Sequence, residues 1–113
     1  MSLDYGDVSV EHIGPKYGSN NGHEKVFIVF KGRVIKENIS LKIVEPISRV
    51  YHPISEFSLN ANIICFTIPL IETVAMQPIT TIEIHLFYDQ ELLAQSIFTF
   101  VDLIKGKYNR FVD

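Results

Sequence analysis

One cysteine, Cys65, is all that the 113-residue chain contains. An internal disulfide of the kind that staples small secreted domains is excluded, and a reducing, intracellular compartment is the expected setting. No apolar run approaches the roughly 18 residues that a membrane-spanning helix requires. The N-terminus lacks the charged and apolar regions of a secretory leader. A basic excess is missing too: the formal net charge is −3 and the isoelectric point about 5.8. A free-standing nucleic-acid binder normally carries a basic stripe. Here the basic residues are scattered, and the densest group (Lys105, Lys107, Arg110) lies at the C-terminal end. Internal repeats, low-complexity tracts and any long helical period are likewise absent.

What is present is a strand grammar. Gly14-Pro15-Lys16-Tyr17-Gly18-Ser19-Asn20-Asn21-Gly22 reads as a turn too rich in Gly, Pro and Asn to continue a regular strand. It is followed at once by the β-branched and aromatic run Val26-Phe27-Ile28-Val29-Phe30. Strands are predicted over Val8–Ile13, Lys25–Phe30, Ile39–Ile43, Ile63–Ile68, Thr80–Tyr88 and Leu92–Val101. Shorter ones are predicted at Arg49–His52, an edge strand stopped by Pro53, and around Phe57 and Leu59. Asp89-Gln90 makes a tight hairpin turn. Leu70–Pro78 reads as a helical turn or a long loop, residues 1–7 as an N-terminal tail, and residues 102–113 as a short helix or linker. Seven or eight strands with turn signals about every ten residues describe one all-β sandwich domain over residues 8–101. With 47% hydrophobic and 20% charged residues, the chain has the means to build its core.

Alternation then sorts the faces. Ile39, Leu41 and Ile43 point inward, as do Ile82, Ile84 and Leu86, leaving Glu83, His85 and Phe87 outside. Two strands break this rule. If Val26, Ile28 and Phe30 face the core, Phe27 and Val29 point away; if Ile64 and Phe66 face it, Ile63 and Cys65 point away. Such strands are either central ones covered by a loop or the source of an exposed apolar patch, which marks a protein partner.

Catalytic and metal chemistry find little support. His12, His23, His52 and His85 show no ligand spacing within one element, and a single thiol makes no cluster. Asp4, Asp7 and Glu11, and Asp89 with Glu91, sit at termini and turns where carboxylates are solvated. Cys65 lies in an apolar strand rather than in the electropositive setting that activates a thiol. The glycine turn leads into a strand, whereas phosphate loops lead into a helix. Asn38-Ile39-Ser40 is a formal glycosylation sequon, a three-residue match that arises often by chance. The expectation is a non-enzymatic domain with no cofactor, no metal and no small-molecule substrate.

Several motifs resemble a known module. Pro15-x-x-Gly18-Ser19-x-x-Gly22 followed by an apolar strand is similar to the opening of the IPT/TIG immunoglobulin-like domains. The stretches Lys31-Gly32-Arg33-Val34-Ile35-Lys36-Glu37-Asn38-Ile39, Asn62-Ile63-Ile64-Cys65-Phe66-Thr67-Ile68-Pro69, Pro78-Ile79-Thr80-Thr81-Ile82-Glu83-Ile84 and Phe98-Thr99-Phe100 follow in order. They most resemble the C-terminal dimerisation domain of Rel/NF-kappaB and nuclear-factor-of-activated-T-cells proteins. The resemblance, over about residues 8–101, implies an E-set type immunoglobulin-like sandwich. It implies a dimerisation domain of a nuclear and cytoplasmic DNA-binding transcription factor, pairing as a homodimer or related heterodimer. By position it places the interface at Phe27, Val29, Ile63 and Cys65, the residues the face analysis left outside. It also departs from the family: Gly14 and Asn60 stand where a charged pair helps orient the two subunits. DNA would be read by a preceding domain, with Lys31, Arg33 and Lys36 touching phosphates. A protein-interaction module of a signalling scaffold or adaptor, with no DNA contact, is the alternative.

Overall fold

The computed structural model describes residues 8–19, 24–69, 71 and 79–101. The expected loop over Leu70–Pro78 (Ile71 apart), the two tails and the turn residues 20–23 lie outside the described residues. The rest forms nine strands: β1 (Ser9–Gly14), β2 (Tyr17–Ser19), β3 (Lys25–Lys31), β4 (Ile39–Val44), β5 (Tyr51–Ile54), β6 (Ser58–Asn60), β7 (Ile63–Thr67), β8 (Ile79–Tyr88) and β9 (Glu91–Val101). One sheet runs β1-β3-β7-β6 and the other β2-β9-β8-β4-β5. The two sheets pack face to face as an all-β, immunoglobulin-like sandwich, antiparallel throughout except for the β2–β9 pair.

Both inner faces meet in one core. Ile28, Phe30 and Ile64 from the first sheet pack with Ile43, Ile82, Ile84, Leu86 and Phe98 from the second, all essentially inaccessible to water. Every residue that alternation sends inward on β3, β4, β7 and β8 is buried, Phe66 included. Phe98 and Phe100 pack edge to face with ring centroids 5.2 Å apart, the geometry that the ring quadrupoles favour.

The turns show why the strands stop where they do. Asp89 and Gln90 both adopt positive φ, 53° and 72°, which the primed hairpin turn demands at its two central positions. The turn thus forms where expected, at the cost of left-handed backbone on two residues with a Cβ. Between β3 and β4 the chain makes a 3₁₀ turn over Lys36–Asn38. Here the Ile35 N–H donates to the Tyr88 hydroxyl at 3.0 Å, so a buried tyrosine ties the crossover to the end of β8.

Two expectations need correction. The segment Gly14–Gly22 is not turn throughout, because Tyr17–Ser19 forms β2, pairing in parallel with Thr99–Val101. The chain leaves the first sheet at the cis Gly14–Pro15 bond, and its backbone then satisfies the open edge of β9, with the Thr99 N–H donating to the Lys16 carbonyl at 2.8 Å. Nor does Pro53 end the fifth strand, which runs Tyr51–Ile54 with Pro53 opposite Lys42. β5 is the sheet's edge, so no ladder bond on its outer side is lost to the missing N–H.

Replacing Phe66 with Ala should destabilise the domain by about 3–5 kcal/mol, the cost of deleting a buried ring. Denaturant unfolding measures it; a loss below about 1 kcal/mol would mean that Phe66 is not in the core. Gln90→Gly should act in the opposite direction. It relieves about 1–2 kcal/mol of left-handed strain and returns about 0.5–1 kcal/mol as unfolded-chain entropy, a net gain visible as a higher melting temperature.

Candidate functional site

The edges of the sandwich offer little. On one side a single segment, β1 then β2, serves as the edge of both sheets; on the other, β5 and β6 do the same through residues 55–57. The edge strands are short, bulged between Val10 and His12 in β1, or interrupted by Pro53 in β5. These are devices that block strand addition. The surfaces that remain are the two outer faces.

On the four-stranded sheet, cross-strand pairing sets up two adjacent rows. One runs Gly14, Phe27, Cys65, Ser58 and the next His12, Val29, Ile63, Asn60. Phe27, Val29, Ile63 and Cys65 thus form one contiguous square at its centre. Phe27 is 44% and Ile63 40% exposed, large values for apolar side chains on central strands. Val29 and Cys65 are half-buried. The polar surround is Lys25 and Lys31 at the two ends of β3, with Ser58 and Asn60 along β6. Gly14 has a local reason: a Cβ there would lie 2.8 Å from Nε2 of His12, whose ring covers the position. Neither Gly14 nor Asn60 carries charge, so these two positions form no ion pair beside the square.

The outer face of the five-stranded sheet is built differently. Glu83 accepts from His85 at 2.9 Å and from Gln95 at 3.3 Å, and meets Arg49 at 3.6 Å. The Lys42 ammonium sits over the rings of Tyr51 at 4.7 Å and Phe87 at 5.2 Å. Tyr17, Tyr51, Leu92 and Ile97 are exposed on this side; Glu83 stands between Ile97 and Tyr51, and the His85–Gln95 row sets Leu92 apart, while Tyr17 borders Ile97. The sequence reading missed these four, although Ile97 beside inward Phe98 carried the same both-sides-apolar signal as β3.

Lys31, Arg33 and Lys36 are all exposed. Lys31 closes β3, Arg33 lies in the crossover, and the Lys36 ammonium rests 5.4 Å from the centre of the Phe57 ring. They are neighbours along the chain rather than a focused cluster. His52 meets Glu45 at 2.7 Å. Among the described residues no three histidine, cysteine or acidic side chains converge as metal ligands, and no helix is long and apolar enough to cross a membrane.

No protein-family model matches the chain, and no curated protein sequence matches it.

Gly18 explains one of the motif glycines. A Cβ there would fall 2.6 Å from the carboxyl carbon of Glu24, whose Oε2 accepts from the Ser19 N–H at 2.8 Å. Gly18→Ala should displace that carboxylate and cost about 1–2 kcal/mol, the loss of a charge-assisted bond plus crowding. Unfolding of the variant measures it, and an unchanged midpoint would show that Glu24 yields freely.

Proposed function

We propose that this sandwich is the dimerisation and protein-interaction domain of a Rel-like DNA-binding transcription factor, working in the nucleus and cytoplasm. One observation carries the reading: Phe27, Val29, Ile63 and Cys65 form a contiguous apolar square on an outer sheet face. These are the positions at which the family resemblance places the contact between subunits. A covered apolar face gains about 25 cal/mol for each Å² removed from water, and two-fold pairing of the face counts every side chain twice. With Gly14 and Asn60 in place of a charged pair, association rests on apolar contact and shape. A homodimer or a related heterodimer would then set the spacing of two DNA-reading domains. Lys31, Arg33 and Lys36 would add salt-sensitive phosphate contacts only beside such a domain.

Ile63→Asp tests the face. The side chain is outward, so the fold should survive, while two carboxylates enter an apolar contact and weaken association by about 100-fold or more. Sedimentation equilibrium of wild type and variant at high protein concentration reads the effect, with circular dichroism as the control for folding. A wild type that stays monomeric throughout removes homodimerisation and leaves the adaptor reading, with its different protein partner. An Ile63→Asp chain that unfolds would instead place Ile63 in the core.

A further inference from the structure

The apolar square is small for a stable interface. Four side chains in two rows fall short of the roughly 800 Å² per partner that specific complexes bury. Beside the square, however, lies an open groove of about 570 Å³ between β7 and the β5–β6 connection, walled by Pro53, Phe57, Ser58, Cys65 and Pro69, with the charged Lys25 and Glu56 also in its lining. Cys65 belongs to both features, and Phe27 is its direct cross-strand neighbour. Phe27 also stands proud of this face, at 44% exposure. The Phe57 ring in its wall also carries the Lys36 ammonium, 5.4 Å from its centre.

We propose that the occupant of this groove is Phe27 of a second copy of the chain, so that two copies exchange aromatic anchors across a two-fold axis. The inference rests on the sheet-face reading above and adds to it a knob, a socket and a reciprocal exchange. Two-fold symmetry makes the exchange self-consistent, because every copy offers one ring and one groove. It adds contact area beyond the square. It also makes Phe27 the anchor, since aromatic side chains are over-represented among the residues that dominate interface energies.

Complementation tests it. Phe27→Ala removes the knob but keeps the groove. Ser58→Trp, at an exposed edge-strand position, fills the groove but keeps the knob. Each variant alone should dimerise at least about tenfold more weakly than wild type, a difference of roughly 1.4 kcal/mol. An equimolar mixture should dimerise better than either, because one of its two sockets is intact in the mixed pair. Native mass spectrometry of isotope-labelled variants counts mixed against like pairs. A mixture that shows no preference for the mixed dimer overturns the exchange; if Ile63→Asp still dissociates the wild type, the face itself stands. Variants that dimerise like wild type overturn the exchange equally. A wild type that never self-associates removes both readings together.

Discussion

The pairing of β3 with β7 is the constraint on which the rest depends. Both strands are apolar on both faces, so hydrophobicity alone does not say which alternation belongs inside. A one-residue slip of either strand would exchange its core and outer sets. The ends of β3 break the tie. Lys25 and Lys31 share the parity of Phe27 and Val29, and turning that parity inward would bury two ammonium groups without partners, a cost of several kcal/mol each. Local hydrogen bonds then pin the register. The Asn62 side-chain amide donates to the Phe30 carbonyl at 2.6 Å while the Phe30 N–H donates to the Asn62 carbonyl at 2.8 Å. At the opposite end, the Ile68 N–H donates to the Glu24 carbonyl at 2.8 Å.

With that register held, a leftover apolar face is a consequence of packing rather than an addition to it. Val26, Ile28 and Phe30 fill the space opposite the second sheet, and Phe27 and Val29 have nowhere to go but out. The same strand therefore serves stability with one set of side chains and leaves the other free for the proposed contact. This separation is why an outward substitution at Ile63 and an inward one at Phe66 act on different properties, although the two residues lie three positions apart.

Much of the fold was legible because it follows from period two. The strands around Ile39, Ile63, Thr80 and Leu92, the inward residues and the Asp89-Gln90 turn all obey local rules that need no knowledge of distant neighbours. β2 was not legible: three residues, one of them Gly18, make no alternation, and what makes them a strand is the edge of β9, some 80 positions away in the chain. Pro53 misled for a related reason, since proline's effect depends on whether a second strand lies beyond it. The four central site residues were visible as apolar residues of the wrong parity. The groove beside them was not, because it is assembled from β7 and a connection that has no periodicity of its own.

The two outer faces also differ in what covering them would require. On the five-stranded sheet, Glu83 already holds His85, Gln95 and Arg49, and Lys42 is spent on two rings. Those groups satisfy one another and divide the apolar surface into islands. On the four-stranded sheet the centre holds no ionised group; Lys31 lies at one end of β3, and Lys25, at the other, lines the neighbouring groove. Excluding water from that centre strands no charge, which is the condition under which apolar area converts into association. The lack of charge at Gly14 and Asn60 then shifts the origin of specificity. Without charges at those two positions to set the angle between two sheets, orientation in the proposed contact would come from shape, and a projecting ring beside a recess is a directional one.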